Sequence, residues 1–388
     1  MFIEFSMGYL LLNNQVKRQS LLTGMFHFIR EMAYALTIAL VTIVYVIQAF
    51  KIPSGSMENS LLVGDFLLGL KFIYGAPLVP FSQELGISQR LPALTNPKAG
   101  DVIIFKYPGT DKKDYIKRCI AGPGSTVQIN GKQVIVDGKV LQTPPRGKYI
   151  YSGDLNYPQI TYFKPLRIPA KGDSFKPSDL EIREFLFLKH LIHQENPAKK
   201  VTAQYQLYLN GVYSNSRSFS LYGNGQTITM NDLHENRLES TITTEGKKEY
   251  INLNNFDLWP DLNVFLKNIM SLFPNENPQF RYMLFIDGRP ITEYKVKYDN
   301  YFMMGDNRDN SLDSRYWGFL NHNFVKAKAF ILYFSLDSKT HYRQIPFTIR
   351  WDRIGNRIRS WDGIHTTPQS AKEAKKYLQQ QNPQNLYL

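Results

Sequence analysis

Cysteine is nearly missing from these 388 residues: Cys119 stands alone, which excludes an intramolecular disulfide and any zinc site built on several cysteines. Histidine is sparse as well. The seven histidines form no motif with a serine and no G-x-S-x-G elbow occurs, so the sequence offers nothing to a histidine-based serine hydrolase. His190 and His193 fall at i, i+3 in a segment that reads as helix. Without a glutamate partner or a third ligand they do not make a metal site, and neither metal nor cofactor is expected. Basic charge is in excess but not concentrated. The net charge of +13 comes from Lys and Arg spread along the chain, with one dense cluster, Lys372, Lys375 and Lys376, in a polar tail. That distribution is not the footprint of a nucleic-acid-binding face, and no nucleic-acid partner is expected.

Charge of either sign is absent from residues 32–50, MAYALTIALVTIVYVIQAF. At helical rise these 19 residues span about 28 Å, close to the thickness of a bilayer core. The run is longer than the apolar part of a cleaved signal sequence, and its exit, Gln48-Ala49-Phe50-Lys51, lacks the small residues of a cleavage site. A retained, single-pass membrane helix is the expectation, with the lipid bilayer as partner. Lys17, Arg18 and Arg30 precede it, which places the N-terminus in the cytoplasm and the rest of the chain on the outer, periplasmic or extracellular, side of the cell membrane.

What is abundant is aromatic: 24 Tyr and 25 Phe bring the aromatic share to 14%, and such residues favour strands. Turn dipeptides punctuate the chain at Asn130-Gly131, Asp137-Gly138, Asn210-Gly211, Asn224-Gly225 and Asp287-Gly288. VQINGKQVIVDGKVL from Val127 therefore reads as consecutive antiparallel strands. Two segments read as helix instead. Ser178 to Glu181 fits a capping box opening a helix to about Gln194, and Asp261 to Phe273 lies between Pro260 and Pro274. The expected fold is mainly β: an N-terminal transmembrane helix, then an antiparallel β catalytic core carrying a large inserted β-rich domain with one or two helices. The expected division is a cytoplasmic segment 1–31, a membrane helix 32–50, a catalytic core 51–145 and 297–368, an inserted accessory domain 146–296 and a polar tail 369–388.

Three features carry chemistry. Six residues past the apolar run stands Ile52-Pro53-Ser54-Gly55-Ser56-Met57, which even fully extended puts Ser56 within about 20 Å of the membrane surface. Next comes Gly100-Asp101-Val102-Ile103-Ile104-Phe105-Lys106, followed by Tyr115-Ile116-Lys117-Arg118-Cys119-Ile120. Strand alternation sets Tyr115, Lys117 and Cys119 on one face and Ile116, Arg118 and Ile120 on the other. The third is Gly305-Asp306-Asn307-Arg308-Asp309-Asn310-Ser311-Leu312-Asp313-Ser314-Arg315. It lacks the ligand register and closing Glu of an EF-hand, and reads as a polar support network. Taken singly these are a small-residue loop, a snorkelling lysine and a polar turn.

In their order, and after an apolar span, the three features resemble the bacterial type I signal peptidases. That family has a Ser-Gly-Ser-Met box, a Gly-Asp-Val strand leading to a Lys-Arg box near a Gly-x-Pro-Gly, and a Gly-Asp-Asn-x-x-Ser-x-Asp-Ser-Arg box. The resemblance implies a membrane-bound serine endopeptidase that removes signal peptides from exported preproteins, cutting after small residues. It makes Ser56 the nucleophile, Lys117 the general base, and Ser54 with the Ser56 N–H the oxyanion donors. Ser311 would hydrogen-bond the lysine amine, with Asp313, Arg315 and Arg118 bracing the site. Phe50, Ile52, Pro53, Met57, Tyr115 and Ile116 would line the substrate pocket. The chain departs from the family at Glu58-Asn59-Ser60, where Pro-Thr is usual, and at Gly122-Pro123-Gly124-Ser125, where an Asp often closes the box. The S-x-x-K spacing of penicillin-binding enzymes is absent, since Asn59 occupies the fourth position of the motif counted from Ser56. A self-cleaving Ser-Lys repressor would carry a DNA-binding segment where this chain has its apolar span. The reading from another class is a catalytically inactive, membrane-tethered binding module of the same fold.

Overall fold

A computed structural model describes residues 23–79, 89–109, 113–142, 144, 147, 158–220, 227–228, 238–240, 249–251, 259–337 and 348–361. The Asn224-Gly225 dipeptide and the proposed tail 369–388 lie outside them. A helix, α1 (Thr23–Val46), is long and apolar enough to cross a membrane, and none of its most apolar stretch is buried against the protein. It begins earlier than the charge-free run and stops before its end. Residues 47–50 leave the helix because they open strand β1 (Ile47–Lys51), which pairs in continuous antiparallel register with β2 (Asp65–Leu70). Tertiary pairing thus overrides the apolar periodicity at the junction.

All pairings that follow are antiparallel. A seven-stranded sheet runs in the order β1, β2, β15 (Val325–Ser335), β3 (Val102–Lys106), β4 (Asp114–Ala121), β13 (Asn300–Met304) and β14 (Leu320–Asn321). Both faces of β3 are buried. Val102 and Ile104 enter one apolar cluster with Ile52, Met57, Leu61 and Leu67, while Ile103 and Phe105 enter another with Tyr74, Cys119, Tyr301 and Trp317. The uninterrupted apolar reading of Val-Ile-Ile-Phe is the mark of a strand covered on two sides.

A second sheet takes β7 (Lys139–Leu141), β6 (Gln133–Val136), β5 (Thr126–Asn130) and β8 (Tyr162–Arg167) in that order. The expected boundary at residue 146 cuts through it, because β5 pairs with β8 across the proposed junction. A third sheet has the order β10 (Val212–Tyr213), β9 (Val201–Leu209), β11 (Gln279–Ile286), β12 (Arg289–Ile291). Three hairpins close as their dipeptides predict: Asp137-Gly138, Asn210-Gly211 and Asp287-Gly288 each hold positive φ at both positions, between directly paired strand ends. Such two-residue turns match the right-handed strand twist, and Asx-Gly tolerates them best.

Among the described residues of the stretch 146–296, the two long helices are α2 (Ile182–Glu195) and α3 (Trp259–Ser271), preceded by a one-turn helix at Pro158–Thr161. The capping box does not form. Glu181 takes the N-cap position without a side-chain cap, residues 177–179 make a separate 3-10 turn, and the Ser178 hydroxyl donates to Asp179. Pro177 sets the backbone of that short turn, so Ser178 is held one element too early to cap the helix. Helices α2 and α3 share one continuous apolar core with Ile120, Val127, Phe302 and Met304. Both helices are therefore packed onto the seven-stranded sheet.

Candidate active site

Ser56 sits in a single 3-10 turn, Gly55–Met57, just beyond β1, and its side chain is largely buried. Two polar segments hold that turn. The backbone N–H of Asn307 donates to the Ser56 carbonyl at 3.1 Å, and Asn307 Nδ2 donates to the Gly55 carbonyl at 3.1 Å and to Glu58 at 3.3 Å. Asp306 receives the Ser60 hydroxyl at 2.5 Å and both arms of the Arg118 guanidinium at 2.8 and 2.7 Å. One carboxylate thereby ties the Ser56 turn to β4. Gly305, which enters this latch, has no space for a side chain: a Cβ there would stand 2.3 Å from Ser311 Oγ and 2.4 Å from the Ser56 carbonyl oxygen. Asn59 takes φ +74°, a left-handed conformation that Asn tolerates and that proline, locked near φ −65°, never reaches.

Lys117 comes from β4, and its Nζ lies 2.5 Å from Ser56 Oγ. The residue is only 3% exposed, and Nζ sits 5.4 Å from the centroid of the Tyr115 ring, itself stacked on Tyr107. Burial lowers the Lys117 pKa to about 8; Asp313 and Asp306 pull it up and Arg315 pushes it down. Asp313 and Arg315 pair through Arg315 Nε and Nη2, both at 2.9 Å, and Asp313 also accepts the backbone N–H of Gly305 at 3.0 Å. Despite burial, these contacts hold the carboxyl below the ordinary carboxylate range.

Ser54 Oγ lies 3.5 Å from Ser56 Oγ. Ser311 does not meet the lysine amine as expected. Its hydroxyl is buried, packed toward Gly305 and makes no hydrogen bond of good geometry. The Asp313 carboxylate is the charged group it bears on. The expected pocket is a cleft of about 340 Å³ that contains Phe50, Ile52, Pro53, Tyr115 and Ile116 beside Ser54, Ser56 and Lys117. Met57 is not among them: it is fully buried in the core below, where its Sδ accepts the Asp306 N–H at 3.4 Å. In a 3-10 turn the residue after Ser56 points away from the cleft, which the string of letters does not reveal. Ile104, Asn310 and Leu312 also line the cleft and were missed, as were the latch residues Ser60, Asp306 and Asn307. Their signal was the density of short polar groups in the third box.

Among the described residues, no group of three or more His, Cys, Asp or Glu could hold a metal. His190 instead faces the carbonyl of Trp317, at 3.3 Å from Nδ1.

The sequence model of the family described as Signal peptidase, peptidase S26 matches residues 25–178 and 215–334. This chain belongs to that family. It is a serine peptidase, and the S26 match takes in all three boxes. The chain is 28% identical over 314 residues to signal peptidase I of Buchnera aphidicola subsp. Baizongia pistaciae, covering 80% of this chain and 77% of the relative. To the Aquifex aeolicus signal peptidase I it is 28% identical, over 75% of this chain and 77% of the relative. The Helicobacter pylori J99 signal peptidase I is 22% identical, with 88% of this chain and 96% of the relative covered. Among solved structures, a signal peptidase I from Enterococcus faecalis V583 shares 14% identity and covers 60% of this chain and 97% of its own, at a TM-score of 0.20. That score is too low to carry weight.

Proposed function

We propose that this S26 peptidase is a membrane-anchored signal peptidase in which Ser56 attacks the scissile carbonyl and neutral Lys117 serves as general base. The observation that carries this reading is the 2.5 Å approach of a 3%-exposed lysine amine to the Ser56 hydroxyl. A free lysine is neutral in well under ~0.1% of molecules at pH 7, whereas one with a pKa near 8 is neutral in roughly a tenth of them. Neutral Nζ accepts the Ser56 proton as Oγ bonds to the carbonyl carbon. The negative charge on the carbonyl oxygen meets the Ser54 hydroxyl and the Ser56 N–H. The C–N bond then breaks, and the Lys117 ammonium returns its proton to the leaving amine. A water molecule deprotonated by the same amine releases the acyl chain from Ser56, so a Ser-Lys pair does the work of a triad without histidine.

Substrate is an exported preprotein. On one edge of β4, Tyr115–Lys117 pairs with β3, and β13 joins the other edge only from Arg118 onward. The remaining edge borders the cleft, where an extended peptide can add a strand. The apolar walls from Phe50, Ile52, Pro53, Tyr115 and Ile116 fit small side chains, often Ala, at the residue before the cut and two residues upstream. Helix α1, apolar and uncovered, is the single membrane anchor, with the lipid bilayer as partner. Lys17 and Arg18 before the helix and Arg30 within it, all N-terminal to the charge-free run 32–50, favour an N-terminus in the cytoplasm and the catalytic sheet on the outer side. The direct passage from α1 into β1 fixes Ser56 close to the bilayer, where a signal peptide leaves its hydrophobic segment. Nothing in the arrangement calls for nucleic acid. We assign the catalytic core to residues 51–145 and 297–368 and the accessory region to 146–296, with β8 of that region completing a sheet begun in the core.

The test is incubation of the full-length protein, in detergent, with a panel of preproteins and mapping of new N-termini by mass spectrometry. Cuts should follow small residues, and replacing the residue before the cut by Phe should lower kcat/KM by at least about 100-fold, the scale set by several excess methylenes in a shaped pocket. Cleavage indifferent to that side chain would remove the specificity assignment.

A further inference from the structure

The third box continues directly into the helical turn α4 (Ser314–Trp317) and then β14. On the inner side of this segment, Asp313 and Arg315 bear on Lys117. Its outer side is held by the inserted region. The indole N–H of Trp259, the first residue of α3, donates to the Arg315 carbonyl at 2.7 Å. Gln194 of α2 donates to the Phe319 carbonyl at 2.9 Å and accepts the Asn321 N–H at 3.0 Å. Gly318, at φ +90°, packs so closely on Phe187 that a Cβ would fall 2.7 Å from its ring. Both helices thus grip the backbone on which the Asp313–Arg315 pair is mounted.

We propose that the inserted region acts on the reaction through Trp259, a positioning residue whose indole N–H fixes the Arg315 peptide so that the Arg315 guanidinium stays on Asp313 beside Lys117. The inference rests on the Ser56–Lys117 reading. Trp259 touches neither reacting atom. It is 5% exposed, and its ring packs edge-on against Phe163 and Phe187, contacts that a phenylalanine can largely keep. The loss specific to Trp259→Phe is therefore the hydrogen bond to Arg315.

The charged groups that bear on Lys117 are Asp306, Asp313 and Arg315, with Arg118 and Arg308 acting around Asp306. A looser Arg315 removes one positive neighbour from the lysine and also leaves the Asp313 carboxylate less compensated. Both changes favour the ammonium. The sign is the same for each: the lysine holds its proton to higher pH, and the acid limb of the rate profile moves up.

The experiment compares full-length wild type and Trp259→Phe in detergent, with kcat and KM for one preprotein measured across pH. Near neutral pH the variant should lose about three- to tenfold in kcat with KM unchanged, its acid limb moved up by about 0.5 to 1 pH unit. At alkaline pH, where Lys117 is neutral in both, the rates should converge. A fall of equal size at every pH, or an unshifted profile, would overturn the proposal. If Trp259→Phe does not fold, Gln194→Met, which removes both bonds to residues 319 and 321, is held to the same outcome. Ser56→Ala measured alongside separates the two levels: an active Ser56→Ala sinks the dyad itself, whereas an inactive Ser56→Ala with an unshifted Trp259→Phe sinks only the role of Trp259.

Discussion

Ser56→Ala is expected to lower kcat/KM for preprotein cleavage by at least about 10⁴-fold, the scale on which removal of a covalent nucleophile acts. Substrate binding should survive, because the cleft walls do not depend on the hydroxyl. The variant should therefore bind a signal peptide with nearly wild-type affinity and hold it uncleaved. The fold should persist as well. Asn307 grips the turn through the Ser56 and Gly55 carbonyls, and those are backbone groups that alanine retains. Steady-state cleavage and peptide binding, measured on one preparation, check both halves. A variant that still cuts would show that Ser56 is not the nucleophile.

Lys117→Met should also abolish most of the rate, and here stability as well as activity is expected to change. Methionine fills a similar volume without an amine, so Ser56 loses its base, and kcat should fall by at least about 10³-fold. Because nucleophile and base act as one unit, the double variant Ser56→Ala, Lys117→Met should be little worse than either alone. Stability should not fall and is expected to rise by about 1 kcal/mol, since burying a lysine head group among Tyr115 and its neighbours is costly and an apolar side chain removes that cost. Thermal unfolding of the two proteins measures this directly. Lys117→Arg should lose activity too, because a guanidinium cannot be deprotonated near neutral pH.

Much of this architecture is local and could be read from the chain. Asx-Gly pairs at 137–138, 210–211 and 287–288 encode their turns in two residues, because few side chains accept positive φ twice in succession. The doubly covered strand β3 is legible as an unbroken apolar run. At the site, Lys117 is marked by its place in β4, but its closeness to Ser56 is a contact between residues 61 positions apart, which no local rule supplies. Only the resemblance of the three boxes joined them.

The differences also have local causes. The resemblance sets Met57 in the pocket, yet the 3-10 turn rotates it into the core against Asp306. Ser178 has the spacing of a cap, but Pro177 commits it to a turn of its own. The boundary at 146 followed a change in motif content, whereas the pairing of β5 with β8 follows hydrogen bonds that cross it. Latch contacts from Asp306 and Asn307 to the nucleophile turn span about 250 residues, and Trp259 meets Arg315 from a helix whose sequence is simply apolar. Such partnerships are set by packing: the density of short polar groups marks the third box as a support network, but not which turn it holds.

The account stands on the protonation state of one side chain. With lysine Cε carbons isotopically labelled in the full-length protein, the resonance lost in Lys117→Met is assigned to Lys117 and followed by NMR through a pH titration. Burial predicts an apparent pKa close to the value of about 8, with kcat/KM falling on the same curve as pH decreases through it. A Lys117 that titrates at about 10.4, as a free lysine does, would contradict the mechanism.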